Sequence, residues 1–187
     1  ESLGGAELDF YARKALTTVG ETREFRYFWP RFAELAVSGE LLTEPQIVFG
    51  KPVYGDHRTW PAAEQRAMPT LAAAIGEWLG AVEHPEEDVD AWTCAIALLS
   101  EGLEDPRPFL RPLLRETPAA WANLRALVDW NQKSMQRKHR LGGFWDNAPN
   151  AGRRIFEWLT SEPRAVQAAR APAVDWTPPD DTPPSEP

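Results

Sequence analysis

Apolar residues recur along this chain at spacings of three and four, and glycines or cap-plus-proline pairs cut the pattern into short lengths. That periodicity marks amphipathic helices. Leu8, Tyr11, Ala12 and Ala15 share one stripe of a first short helix over 6–16. Thr22 reads as the N-cap of a second, with Phe25, Phe28, Trp29, Phe32, Leu35 and Ala36 inward. Pro30 should kink or break it near Trp29, and Gly39 ends it. Thr43 and Pro45 open a third helix, which Gly50 and Pro52 keep short. The fourth follows Pro61, carries Ala63, Ala67, Leu71, Ile75, Trp78, Leu79 and Val82 on its buried face, and bends at Pro69. Pro85 starts a fifth, with Glu86, Glu87 and Asp88 in its first turn, where acids complement the helix dipole. Its stripe is Val89, Trp92, Ile96 and Leu99.

The second half repeats these signals. Asp105-Pro106 starts a short helix through Phe109, Leu110, Leu113 and Leu114. Thr117-Pro118 starts the longest, 118–140, with Trp121, Leu124, Leu127, Val128 and Met135 facing inward. Gly142-Gly143 ends it, and 144–150 reads as a loop. Asn147 or Asn150 should cap a helix containing Ile155, Phe156, Trp158 and Leu159, and Pro163 starts a weak last one to Arg170. Alanine and leucine outweigh valine and isoleucine, so no strand is predicted. The fold class is all-α: an irregular stack of short antiparallel helical hairpins, HEAT-like or a compact helical bundle. One domain is expected over 1–171. The Pro-rich acidic C-terminal tail, 172–187, has little apolar material besides Trp176 and should be disordered or loosely draped.

Charge changes this picture by pointing to partners. Residues 1–105 hold 19 acidic and 8 basic side chains, residues 106–174 hold 5 and 12, and the remainder holds 4 acids and no base. Stacked in sequence order, the helices would give the molecule an acidic and a basic pole, which favours self-association or a polar protein partner. Lys133, Arg137 and Arg140 share one face of the long helix, with Lys138 and His139 beside them and Arg153 and Arg154 beyond the loop. These cations form an anion-binding surface for an acidic protein segment or a nucleic acid, or else a solvated helix end that offsets the dipole. Phe144 and Trp145 in the glycine-led loop are partner anchors or a lid on the core. The candidate binding residues are therefore Lys133, Arg137, Lys138, Arg140, Phe144, Trp145, Arg153 and Arg154. Asp175, Asp180, Asp181 and Glu186 of the tail are potential competitors for the basic helix.

Catalytic and metal signatures are missing. The sequence has no nucleophile elbow, P-loop or dinucleotide-binding glycine pattern, so neither an enzyme nor a cofactor is expected. Glu86–Asp90 lacks the glycine of a calcium loop, and the acids between Arg66 and Arg107 read as a solvated face, with no metal. His57, His84 and His139 lie far apart and should be exposed; Asp56-His57-Arg58 comes nearest to a catalytic cluster. Cys94 reads as a small buried hydrophobe, and most of the nine tryptophans read as core. No apolar run approaches the roughly 20 residues of a spanning helix, so a cytoplasmic protein away from the membrane is expected.

Three strings in the first third, Lys14–Lys51 in extent, carry a resemblance: Lys14-Ala15-Leu16-Thr17-Thr18-Val19-Gly20, Glu24-Phe25-Arg26-Tyr27-Phe28-Trp29-Pro30-Arg31-Phe32 and Ile47-Val48-Phe49-Gly50-Lys51. They resemble a family of uncharacterised, helix-rich bacterial proteins. The resemblance implies a bacterial, cytoplasmic, all-helical protein and brings no activity or cofactor. That family tends to have leucine where this chain has Pro52, which would break the third helix early. The functional expectation is a non-enzymatic scaffold that binds a protein partner or its own copy. Polyanion binding by helix 118–140 and an enzyme site between helices are the alternatives.

Overall fold

A computed structural model describes residues 4–170. The expectations for 172–187, Trp176 included, lie outside the described residues. Eight α-helices and three 3-10 turns follow one another: α1 Gly5–Lys14, α2 Thr22–Val37, α3 Pro45–Tyr54, η1 His57–Thr59, α4 Ala62–Ala81, α5 Glu86–Ser100, η2 Arg107–Leu114, α6 Pro118–Lys138, η3 Gly143–Asn147, α7 Pro149–Ser161 and α8 Pro163–Arg170. Among the described residues there is no strand, and the fold is all-α. No helix among them is long and apolar enough to cross a membrane.

The organising element is α5. Every residue from Ala91 to Ser100 is buried. A helix that is apolar on all sides has to be covered on all sides. The chain does this by packing α3, α4, α6 and α7 around α5. Aromatic rings tie the layers together: Trp29 of α2 meets Phe49 of α3 at 5.5 Å, Phe49 meets Trp92 of α5 at 5.6 Å, and Trp92 meets Trp78 of α4 at 5.2 Å. Such edge-on and tilted pairs add to the area they bury. The buried cluster runs from Leu8 to Ala168.

Two glycines let η2 lie directly on α4. A Cβ on Gly76 would stand 1.9 Å from the Phe109 carbonyl oxygen, and one on Gly80 would stand 2.5 Å from Pro112 Cβ. At the other end of the molecule, Lys51 is buried and donates to the Arg13 carbonyl at 2.7 Å and to Thr17 Oγ1 at 3.3 Å. Its ammonium therefore caps the last turn of α1, whose carbonyls have no helical partner. Burial pushes the Lys51 pKa down, and Lys14 adds to the effect.

Several sequence expectations are corrected. Thr22 is the first helical residue of α2, with Glu21 in the cap position, and the helix continues unbroken through Pro30. α3 passes Gly50 and Pro52 and ends at Tyr54. Pro52 sits in its last turn, where only a short stretch of helix remains to be disturbed. The segment after Pro106 is a 3-10 helix, and the loop at Gly143–Asn147 coils into another. Neither Asn147 nor Asn150 caps α7. The Glu101 carboxylate, projecting from the end of α5, accepts from the Ala151 N–H at 2.8 Å and from Asn150 Nδ2 at 2.7 Å.

Sequence order does not become spatial order. Because α5 belongs to the acidic block and sits among helices of both blocks, acids and bases meet across the division. Arg115 pairs with Glu77 at 2.6 Å, Arg154 lines a groove with Glu101, Glu104 and Asp105, and Tyr54 donates to Asn147 at 3.3 Å.

Candidate functional site

Thr117 caps α6, its Oγ1 accepting from the Ala120 N–H at 3.2 Å. From there α6 buries Leu124, Leu127 and Val128 against the core. Two asparagines on the same side fix its position. Asn123 donates to the Leu79 and Val82 carbonyls at 2.7 and 2.6 Å, and its Oδ1 accepts from the His84 N–H at 2.9 Å, which closes the end of α4. Two turns later Asn131 donates to Asp90 Oδ1 at 2.6 Å and to the Leu127 carbonyl at 3.1 Å.

Asp90 is the hinge of this corner. The same Oδ1 accepts from Trp145 Nε1 at 3.1 Å. Burial pushes the Asp90 pKa up, while the donors from Asn131 and Trp145 hold it down. One helical turn further on, Cys94 is buried, and burial together with the Asp90 charge pushes its thiol well up. It has the character of a core side chain rather than a nucleophile.

The two tryptophans of this corner have opposite exposures. Trp145 is 3% exposed and forms part of the core, which corrects its standing as a surface anchor. Trp130 is 52% exposed and Phe144 42%. The exposed aromatic material at this corner is therefore Trp130 and Phe144. Trp130, Lys133 and Arg137, at i, i+3 and i+7, form one stripe along the final turns of α6. Lys133, Arg137 and Lys138 are exposed and make no ion pair or hydrogen bond among the described residues. Arg140 pairs with Asp146 at 3.0 Å across the turn that brings η3 back to the helix. His139 is exposed and takes a left-handed conformation (φ 52°) that ends α6.

Arg153 and Arg154 stand apart from this group. Arg153 pairs with Glu157 at 3.1 Å on the surface of α7. Arg154 is half-buried in an open groove lined by Ser100, Glu101, Glu104, Asp105 and Asn150 at the far end of α5. Along α5, Asp90 and Glu101 are separated by about 16 Å at the rise of an α-helix. Two of the groove's three carboxylates are engaged: Glu101 caps α7, and Asp105 is held by Arg107, which keeps its pKa low.

Asp56-His57-Arg58 does not assemble a reactive group. Asp56 pairs with Arg58 at 2.9 Å, and His57, expected to be exposed, is 2% exposed with Nδ1 3.1 Å from the Pro52 carbonyl oxygen. Burial pushes the His57 pKa down against the Pro52 and Glu101 carbonyls. The aromatic surroundings explain the burial, since Trp60 lies 6.5 Å away and donates its own Nε1 to the Gly55 carbonyl. His84 is half-buried, with its ring 4.0 Å from that of Trp78, and its pKa is pushed down by burial. Among the described residues no group of three His, Cys, Asp or Glu side chains is placed to hold a metal ion.

Comparison with known proteins adds no further assignment: no family model, curated protein or solved structure matches the chain.

Proposed function

We propose that this chain is a helical interaction module whose α6–η3 corner docks an acidic segment of a protein partner. The observation that carries the reading is Trp130: it is set on the packed helix α6, yet half of its side chain faces solvent beside Lys133, Arg137 and Lys138, which make no ion pair among the described residues. A tryptophan held in place before the partner arrives loses little freedom on binding, and tryptophan and arginine are the side chains that anchor interfaces most often. Lys133, Arg137 and Lys138 supply charge that steers an acidic chain onto it.

The same corner supports a second reading. Exposed aromatics interleaved with cations also fit single-stranded nucleic acid, whose bases stack on such rings. Glu86, Glu87 and Asp88, exposed at the start of α5, repel either polyanion, so the two readings are separated by direct comparison at equal charge.

The test is titration of the full chain, at low and high salt, with poly-L-glutamate and with a single-stranded oligonucleotide of equal charge. Polyglutamate is expected to bind at low salt and to weaken as salt rises. Trp130→Ala should reduce affinity about tenfold or more, as for an interface anchor. The pair Lys133→Glu and Arg137→Glu should abolish binding. Polyglutamate failing to bind at low salt, or the oligonucleotide binding more tightly, would overturn the proposal.

A further inference from the structure

We infer that the first occupant of the α6–η3 corner is the acidic segment of this same chain that follows Arg170; this rests on the reading of that corner as a site for acidic protein segments. The charge match is the first argument. Residues 171–187 carry Asp175, Asp180, Asp181 and Glu186 and no Lys or Arg, while Lys133, Arg137 and Lys138 of α6 have no anionic partner among the described residues. The other exposed arginine of the group, Arg140, is already committed to Asp146.

Reach is the second argument. The described chain ends on α8, which packs against α6, with the Arg164 guanidinium 5.6 Å from the Trp121 ring centroid. The whole of α6 is about 31 Å long at 1.5 Å per residue. The 17 residues after Arg170 can extend to about 56 Å, so they span α6 from either end. Trp176 lies among the acids and can lie against Trp130 once they pair with the cations.

Tethering sets the magnitude. A tether of this length gives an effective concentration on the order of 1 mM. Against a weak acidic-peptide site with Kd on the order of 0.1–1 mM, the segment covers the corner about half of the time or more, and an outside acidic ligand binds about two- to tenfold more weakly. The segment then filters weak acidic chains and yields to a partner that makes further contacts.

The experiment compares two full-length proteins, wild type and a variant with Asp175→Asn, Asp180→Asn, Asp181→Asn and Glu186→Gln. Each is titrated with poly-L-glutamate at low salt. Each is also treated with a carbodiimide, which joins carboxylates to lysines in direct contact, and the products are mapped by mass spectrometry. The inference predicts tighter polyglutamate binding by the variant, by about two- to tenfold. It also predicts links within one wild-type chain from Lys133 or Lys138 to the tail acids, lost at high salt. Equal affinity in the two proteins with no such links overturns the inference and leaves the docking corner standing. Links found only between two chains overturn it by making a second copy the occupant. Absence of polyglutamate binding by both proteins overturns the inference and the docking corner together.

Discussion

Replacing Asp90 separates its role as an acceptor from its charge. In Asp90→Ala the Trp145 Nε1–H, buried in the core, loses its acceptor, which costs about 1–3 kcal/mol. Asn131 keeps the Leu127 carbonyl and suffers less. The vacated carboxyl volume, on the order of 20 Å³, adds about 0.5 kcal/mol at roughly 24 cal/mol per Å³. Relief from burying a charge works in the opposite direction, because burial already raises the Asp90 pKa. The net loss is about 2 kcal/mol, a fall of about 4–8 °C in Tm for a chain of this size. Asp90→Asn retains an oxygen for both bonds to Oδ1, so it should lie within about 1 kcal/mol of wild type. The pH dependence has a fixed sign. A carboxyl whose folded pKa is raised contributes most to stability when protonated, so wild type gains on Asp90→Asn as pH falls through that folded pKa. Thermal and urea unfolding measure these differences. Asp90→Ala unfolding within about 0.5 kcal/mol of wild type, or Asp90→Asn falling as far as Asp90→Ala, would refute the reasoning.

Three further predictions concern the frame that holds the corner. Gly76→Ala places a methyl 1.9 Å from the Phe109 carbonyl, so overpacking of about 1–3 kcal/mol or more outweighs the roughly 1 kcal/mol gain in helix propensity and lowers Tm; Gly50→Ala, whose Cβ meets Leu98 Cδ1 at 3.6 Å, should be neutral or stabilising in the same thermal scan. Glu101→Ala removes the cap on α7 and should cost about 0.5–2 kcal/mol in urea unfolding. His57 and His84 have folded pKa values below the ordinary histidine value of about 6.5, so protonation favours the unfolded chain and stability is lost as pH falls below that value. Tm should therefore drop between about pH 7.5 and about pH 5.5, and drop less in His57→Gln; a flat profile would contradict the burial of that ring.

Helix positions were legible because the stripes and the proline-marked starts are local signals. Their arrangement was not. The unbroken apolar run Ala91–Leu99 announced a helix buried on every side, and reading it as a one-sided stripe led to the expectation of stacking in sequence order. Once α5 is central, acids and bases of the two blocks become neighbours at the Glu77–Arg115 pair and around Arg154, and a linear charge count loses its spatial meaning there. Spacing put Lys133, Arg137 and Arg140 on one face of a helix to 140; Lys133 and Arg137 lie exposed on α6, but the helix ends at Lys138, so Arg140 leaves the stripe and pairs with Asp146. His57 was expected to be exposed because charged and turn-forming neighbours flank it, yet its ring is buried against Trp60 and the Pro52 carbonyl; of the two readings of Trp145, its burial and its bond to Asp90 fit the lid on the core. Trp130 had a usable signal: it falls off the inward stripe of Leu124, Leu127 and Val128. Nothing local marks Asp90 as different from Asp88, since its donors Asn131 and Trp145 come from α6 and η3.

The central claim is that an acidic chain docks on the exposed face of Trp130. The most direct measurement is the indole ¹⁵N–¹H NMR spectrum of the full-length protein with its tail acids neutralised, during titration with poly-L-glutamate. The account predicts that the Trp130 resonance moves progressively while that of Trp60, bonded to the Gly55 carbonyl inside the core, stays still. A stationary Trp130 signal at saturating polyglutamate, or a shift confined to other tryptophans, would contradict it.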